Sequence, residues 1–101
     1  MVEELKDKIY TNLRKVPKGK VITYKELAKS VNSKAYRFIG SCMKNNPDPI
    51  NTPCYKVVKS SGEIGNYSLG GKNEKINKLL SDGIKVVNNS IDLSKYGFRF
   101  K

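Results

Sequence analysis

Histidine is absent from this chain of 101 residues, and cysteine occurs only twice. Without imidazole there is no Ser-His-Asp triad, no Cys-His dyad and no zinc site with histidine ligands. Cys42 and Cys54 cannot form a cysteine-rich metal site by themselves, and a reducing cytoplasm argues against a disulfide between them. Any polar chemistry must therefore use Cys, Asp, Glu, Tyr, Lys or Ser.

Long apolar runs are also missing. No segment approaches the roughly 20 apolar residues that span a bilayer, and the first residues, MVEELKDK, lack the apolar stretch of a signal peptide. We therefore expect a cytoplasmic protein that does not bind membranes. A composition of 38% hydrophobic and 29% charged residues is ordinary for a globular chain, and 11.4 kDa suits a single domain over residues 1–101.

Acidic residues are few. The chain has 20 Lys and Arg against 9 Asp and Glu, a net charge of +11, and the excess is spread over both halves of the sequence. A domain that is basic throughout fits a polyanionic partner. General solubility explains the same charge equally well, so the motifs have to decide between the two.

Apolar spacing predicts four helices. The first, over 3–15, places Leu5, Ile9 and Leu13 on one face. Thr23 and Glu26 form a capping box that begins the second helix, which runs to about Val31. Asn32 and Ser33 connect it to a third helix over 34–45, and the pair is typical of a helix-turn-helix. The apolar face of the third helix comprises Ala35, Phe38, Ile39, Cys42 and Met43. The fourth helix, over 72–81, is expected to bury Ile76, Leu79 and Leu80 and to end at Gly83.

The rest of the chain is extended or irregular. Prolines at 47, 49 and 53 fix a rigid loop over 45–54. The stretch YKVVKSSGEIGNY predicts a hairpin around a Ser60-Ser61-Gly62 turn, which would serve as a wing. Residues 84–101 are expected to be a loosely structured tail that packs against the first helix. The predicted fold is mainly α with a small β hairpin, a winged helix-turn-helix-like three-helix domain.

The two cysteines differ in their surroundings. Cys42 lies in the apolar face of a predicted helix and is expected to be a structural residue. Cys54 follows the proline-stiffened loop, with Lys56 two residues on, and a nearby ammonium group favours the thiolate. From spacing alone, a buried apolar role and a reactive role for Cys54 both stay open.

Three segments in unbroken order carry a family resemblance: VPKGKVITYKELAKSV, YRFIGSCMKNNPDPINTPCYKVVKSSGEIGNYSLGG and KINKLLSDG. They resemble the C-terminal domain of the alkylguanine-DNA alkyltransferases over residues 3–83, which leaves 84–101 as an extension. The resemblance implies a monomeric winged helix-turn-helix that enters the minor groove of double-stranded DNA and flips an alkylated guanine out of the stack. The alkyl group would pass irreversibly from the guanine O6 atom to a cysteine, with no cofactor and no metal.

The resemblance also implies a role for each matched residue. Cys54 matches the acceptor and Asn46 the hinge asparagine before the acceptor loop. Tyr24 matches the tyrosine that helps to rotate the target phosphate, and Arg37 the arginine that fills the gap left in the base stack. The lesion pocket would comprise Met43, Val57, Tyr67 and Ser68, with Ser68 placed to hydrogen-bond the guanine. Further DNA contacts are expected from Lys25, Lys34, Lys44, Lys56 and Lys59.

The residues around Cys54 depart from the family pattern. The family motif Pro-Cys-His-Arg-Val is Pro-Cys-Tyr-Lys-Val here, so Tyr55 stands where the family has a proton-relaying histidine. Asp82 is the nearest match to the glutamate that orients this histidine. A phenol with a pKa of about 10 is a poor base at neutral pH, but Lys56 would supply positive charge instead. We expect slower transfer than in relatives with histidine, or transfer shifted to higher pH.

Two other functions compete with alkyl transfer. Alkyltransferase-like relatives bind alkylguanine and flag it for excision without transferring the group, and they typically replace the cysteine while keeping the histidine. This sequence does the reverse, which favours transfer. A plain winged-helix DNA-binding protein is the third alternative, and the retention of Arg37, Asn46, Tyr67 and Ser68 argues against it.

Overall fold

Helices make up most of the regular structure. The computed structural model describes residues 2–34, 36–48, 50–65, 67 and 70–100. The helices are α1 (Val2–Arg14), α2 (Tyr24–Ser30), α3 (Tyr36–Lys44), α4 (Gly71–Ser81) and α5 (Leu93–Tyr96). Two short strands, β1 (Ile22–Thr23) and β2 (Val57–Val58), form one sheet, and a 3-10 turn spans Cys54–Lys56. The mainly α fold class is confirmed.

The first three helices pack on one another around one apolar cluster. Ile9 and Leu13 of α1, Leu27 of α2 and Ile39 of α3 are all fully buried in it. The Thr23 hydroxyl accepts a hydrogen bond from the Glu26 amide at 3.1 Å, so the predicted cap begins α2. The predicted helix-turn-helix is therefore present as α2 and α3. Ala35 lies outside the described residues.

The sheet is not the predicted hairpin. Strand β2 pairs in parallel with β1, in the register Ile22 with Val57 and Thr23 with Val58. The predicted turn exists, because the Gly62 amide donates to the Lys59 carbonyl at 2.9 Å. Beyond the turn, however, the chain pairs with Ser90 rather than with β2. Val57 and Val58 are both buried, and a strand covered on both faces suits a buried parallel pair better than an exposed wing.

Helix α4 buries Lys75, whereas the sequence predicted that Leu80 would be buried. Leu79 is fully buried as predicted, but Leu80 is 52% exposed and Lys75 only 1%. Residues four apart share a helix face, so Lys75 lies above Leu79 while Leu80 lies about 100° further round. Gly83 has a φ of +83°, a conformation that favours glycine, and it ends the helix where the sequence predicts.

Residues 84–100 are more ordered than expected. The Val21 amide donates to the Tyr96 carbonyl at 2.8 Å, and the Phe98 amide donates to the Val21 carbonyl at 2.7 Å. Ile84 and Ile91 complete a second apolar cluster with residues that include Val21. Phe98 packs against the first cluster. The segment is therefore bonded into the body of the domain beside β1.

Two kinds of feature are absent from the described part of the chain. No helix there has both the length and the apolar character needed to cross a membrane. The same residues contain no group of three or more Cys, Asp or Glu side chains arranged to hold a metal ion.

Candidate functional site

The loop before Cys54 is held in place by its own side chains. The buried Asn46 amide donates to the Thr52 carbonyl at 2.6 Å, and the Asn46 Oδ1 atom accepts from the Asp48 amide at 3.1 Å. Arg14 Nε donates to Thr52 Oγ1 at 2.9 Å, which ties the loop to α1. The Cys54 amide then donates to the Thr52 carbonyl at 2.8 Å. Asn46 therefore fixes the backbone that positions Cys54.

Cys54 lines a cavity of about 370 Å³ between α2, α3 and α4. This volume lies within the range of small-molecule pockets, about 300–1,000 Å³. The Cys54 side chain is free and buried, with 4% of the residue exposed. The other residues lining the cavity are Tyr24, Gly40, Met43, Lys44, Tyr67 and Lys75. The structure therefore brings five sequence-predicted site residues together: Tyr24, Met43, Lys44, Cys54 and Tyr67.

One predicted pocket residue, Val57, is not among the described residues that line the cavity. Val57 is buried in β2, and its carbonyl oxygen accepts a hydrogen bond from Lys75, a residue that lines the cavity. Ser68 lies outside the described residues.

Gly40 and Lys75 line the cavity without having been predicted from the sequence, and Lys75 is the charged one of the two. Its Nζ atom donates to the Val57 carbonyl at 2.7 Å. Burial lowers the pKa of Lys75 from 10.5 to about 8, although the charge of Cys54 acts in the opposite direction and favours the ammonium form. The four-residue spacing between Lys75 and Leu79 was the sequence signal for the burial of Lys75. Other lysines in the same segment made this signal hard to recognise. A cation therefore shares the cavity with the thiol.

The two tyrosines of the cavity stay neutral. Burial, with a smaller contribution from the charge of Cys54, raises the pKa of Tyr24. Burial is also the main reason that the pKa of Tyr67 rises to about 12, with Cys54 the next largest cause. Both phenols therefore keep their protons at neutral pH, and both can donate a hydrogen bond to a ligand in the cavity.

Lys56 does not play either predicted role. It is buried, and its Nζ atom donates to the Val16 carbonyl at 3.2 Å and to the Pro17 carbonyl at 3.0 Å. It also pairs with Asp82 Oδ2 at 3.5 Å. A 3-10 turn has three residues per turn, so Cys54, Tyr55 and Lys56 point in three different directions. Burial and these three partners argue against the prediction that Lys56 contacts DNA or gives Cys54 its positive charge.

Tyr55 lies next to Asp82 without being a base. Burial, and secondarily the charge of Asp82, raises the pKa of the Tyr55 phenol above 10. Asp82 Oδ2 accepts from the Gly19 amide at 3.0 Å in addition to its ion pair with Lys56. The carboxylate therefore joins α4 to the turn after α1 through groups that lie away from the Cys54 cavity.

The remaining predicted DNA-binding residues lie at the surface. Lys34, Arg37, Lys44 and Lys59 are exposed.

Tyr24 and Gly40 line both the Cys54 cavity and a shallow apolar depression, whose other residues are Lys25, Tyr36, Lys59 and Ser60. Tyr36 is itself half-exposed. We call this surface, defined by Tyr24, Lys25, Tyr36, Gly40, Lys59 and Ser60, the basic face. Exposed aromatic and basic side chains together are typical of nucleic-acid binding surfaces.

Sequence comparisons place most of the chain in one family. The family profile described as 6-O-methylguanine DNA methyltransferase, DNA binding domain, matches residues 4–84. A bifunctional methyltransferase/endonuclease of Picrophilus torridus is 45% identical over 91 residues, which cover 89% of this chain and 30% of that protein. A methylated-DNA–protein-cysteine methyltransferase of Cricetulus griseus is 42% identical over 91 residues, covering 88% of this chain and 44% of that protein. The chain thus spans less than half the length of these curated relatives.

Structural comparison extends the similarity beyond residue 84. Atl1 of S. pombe, in complex with damaged DNA containing O6-carboxymethylguanine, matches with a TM-score of 0.86 and 24% identity over 97% of both chains. A structure of S. pombe ATL in complex with DNA matches with a TM-score of 0.83 and 26% identity over the same shares. Because 97% of this chain is covered, the overlap includes much of the segment that follows the family profile.

Proposed function

Because the chain belongs to the 6-O-methylguanine DNA methyltransferase family through its DNA-binding domain, we propose that it repairs duplex DNA by alkyl transfer. An alkyl group on the O6 atom of guanine would move to Cys54. The observation that carries this proposal is the position of the thiol: Cys54 lines a cavity that shares Tyr24 and Gly40 with the basic face. A flipped guanine that enters beside these two residues would meet the Cys54 side chain in the cavity.

The proposed reaction is a single nucleophilic displacement. The Cys54 thiol loses its proton, and the thiolate sulfur forms a bond to the alkyl carbon while the carbon–O6 bond breaks. The electron pair of the broken bond goes to the guanine, and a proton taken up at N1 restores the neutral base. The product is a thioether, which is not hydrolysed, so each molecule acts once. No cofactor enters the balance.

The cavity residues support this step in different ways. Tyr24 and Tyr67 are neutral donors, suited to hydrogen-bond the leaving guanine as negative charge develops on it. The Lys75 ammonium stabilises the thiolate with which it is electrostatically coupled. Met43 supplies an apolar wall. Arg37, exposed on α3, is available to occupy the gap that the flipped base leaves.

Proton removal needs no histidine in this scheme. Tyr55 keeps its proton because its pKa is raised, so it does not act as the general base at neutral pH. The thiol proton passes to water, and the cation of the site, Lys75, favours the thiolate that remains. Transfer is therefore expected to be slower than with a positioned general base, since such a base typically contributes about 10²–10⁴-fold.

Lesion binding without transfer is the second candidate function. The match over nearly the whole chain to a S. pombe protein in complex with DNA supports it. Retention of a thiol in the cavity favours transfer instead.

The test follows the lesion in the DNA. The protein is incubated with a duplex carrying one O6-methylguanine, and the nucleosides are quantified by mass spectrometry after nuclease digestion. We expect O6-methyldeoxyguanosine to be converted to deoxyguanosine, with no more than one conversion per protein molecule. Cys54→Ser should abolish the conversion and the matched variant Cys42→Ser should keep it. An intact lesion that is still bound more tightly than unmodified duplex would establish lesion binding alone.

A further inference from the structure

The segment after residue 84 ends beside the start of α2. Its backbone is bonded on both sides of Val21, through the Tyr96 carbonyl and the Phe98 amide. The Lys20 Nζ atom donates to the Lys95 carbonyl at 2.8 Å, which adds a third attachment. The position of Arg99, one residue past the last of these bonds, is therefore set by Lys20 and Val21, the two residues before β1. The family profile, which stops at residue 84, assigns nothing to this segment.

Arg99 lines a depression that continues the basic face. The depression has a volume of about 230 Å³, and its lining includes Thr23, Lys25, Glu26, Ser60, Phe98 and Arg99. Lys25 and Ser60 belong to the basic face as well. The basic face in turn shares Tyr24 and Gly40 with the Cys54 cavity. One connected surface therefore runs from the thiol, across the start of α2, to the C-terminal segment.

Positive charge dominates the far end of this surface. Lys25 and Arg99 are exposed there, Lys59 is exposed on the adjoining basic face, and the half-buried Glu26 is the acidic residue that lines the Arg99 depression. Within the described part of the chain, no hydrogen bond or ion pair engages the Arg99 guanidinium. An arginine fork of this kind binds phosphate oxygens in a bidentate manner.

We propose that the C-terminal segment is part of the DNA interface, and that Arg99 together with Lys25 binds a backbone phosphate of the duplex to one side of the flipped nucleotide. This inference rests on the proposed function, because it requires the basic face to bind DNA. A phosphate is the ligand that fits two neighbouring cations. Because the surface is continuous from the Cys54 cavity to Arg99, that phosphate would belong to the same duplex whose flipped guanine reaches Cys54.

The test compares two exposed cations of the same segment. Arg99→Gln removes the proposed contact, whereas Lys95→Gln removes the same charge from a side chain that lies over the Tyr96 ring, outside the depression. Affinity for an unmodified duplex is measured by fluorescence anisotropy over a range of salt concentrations. For Arg99→Gln we expect affinity about 3- to 10-fold lower and the slope of log K against log[salt] smaller by about 0.9. Lys95→Gln should keep the wild-type slope.

A substrate without phosphates provides the second arm. Transfer from O6-methylguanine supplied as the free base should proceed at the same rate in the wild type and in Arg99→Gln, because no phosphate is present. The inference would be overturned if Arg99→Gln and Lys95→Gln had equal duplex affinities and equal slopes of log K against log[salt]. A loss of duplex affinity in Arg99→Gln with an unchanged slope would overturn it as well. Wild-type protein that binds no duplex at all would instead contradict the proposed function.

Discussion

Cys54 and Lys75 come from distant parts of the sequence and meet at one cavity. Lys75 is almost fully buried, which lowers its pKa, while the charge of Cys54 favours its ammonium form. Tyr55, the neighbour of Cys54 in sequence, faces Asp82 and keeps its proton. At the scale of single residues, the pH dependence of transfer should therefore include the titration of Lys75.

Replacing Lys75 should slow transfer without preventing DNA binding. Lys75→Met removes the cation next to the thiolate, and we expect a single-turnover rate roughly 10²-fold lower at pH 7. In the wild type the rate should fall above a pH of about 8, where Lys75 loses its proton. That descending limb should vanish in Lys75→Met. A variant with the wild-type rate and pH profile would show that Lys75 has no part in transfer.

Replacing Tyr55 tests whether the missing histidine limits the rate. Tyr55→Phe should change the transfer rate by less than about threefold, because a phenol with a raised pKa is not a base at neutral pH. Tyr55→His should speed transfer at neutral pH by restoring a titratable group there. Single-turnover rates between pH 6 and 9 measure both effects. No acceleration in Tyr55→His would mean that proton removal does not limit the reaction.

Helix α3 shapes the entrance to the cavity, whereas the 3-10 turn carries both Cys54 and a lysine of a buried ion pair. Gly40 of α3 lies where the cavity meets the basic face, and a Cβ atom at this position would have no atom within 4 Å. The turn sends Cys54 to the cavity and Lys56 to Asp82, so one element carries both the nucleophile and a buried ion pair. At the scale of elements, stability and reactivity can therefore be changed separately.

A larger residue at Gly40 should stabilise the fold and obstruct the cavity. Glycine inside a helix costs about 0.5–1 kcal/mol relative to alanine, so Gly40→Ala and Gly40→Leu should both raise the free energy of unfolding. Gly40→Leu should also slow transfer from alkylated duplex, because its side chain fills the passage, whereas Gly40→Ala should not. Urea unfolding and single-turnover kinetics check the two effects. Wild-type kinetics in Gly40→Leu would place the entry of the base elsewhere.

Lys56 and Lys59 provide a matched pair of lysines. Lys56→Met leaves the Asp82 carboxylate buried without its cation, so the free energy of unfolding should fall by roughly 3 kcal/mol. Lys59→Met alters an exposed residue, so it should change the free energy of unfolding by less than about 0.5 kcal/mol while weakening DNA binding. Urea unfolding and anisotropy measure the two quantities. A strong loss of DNA affinity in Lys56→Met, at a temperature where the variant is folded, would contradict a purely structural role for Lys56.

The whole molecule combines local elements that the sequence predicts with contacts that it does not. Periodicity and the Thr23 cap predict α1 to α4 well, and the family resemblance identifies Tyr24, Met43 and Tyr67. The pairing of β2 with β1 depends on residues 35 positions apart, so local pattern suggested a hairpin instead. The burial of Lys56 and Lys75 was not predicted, because composition does not distinguish a buried lysine from an exposed one.

The net charge of +11 makes a prediction for the whole molecule. About five phosphate contacts from the exposed cations would give a slope of log K against log[salt] of roughly −4 to −5 for duplex binding. The preference for a lesion duplex over an unmodified one should stay constant with salt, because both carry the same phosphates. Anisotropy titrations on the two duplexes give both values. An affinity independent of salt would exclude an electrostatic interface.

The most direct test of the account is the mass of the protein itself after reaction with a duplex containing one O6-methylguanine. Intact-mass measurement followed by proteolytic mapping should show a gain of about 14 Da, confined to the peptide that carries Cys54 and absent from the Cys54→Ser variant. No gain in mass, or a methyl group found on Cys42 instead, would contradict transfer to Cys54.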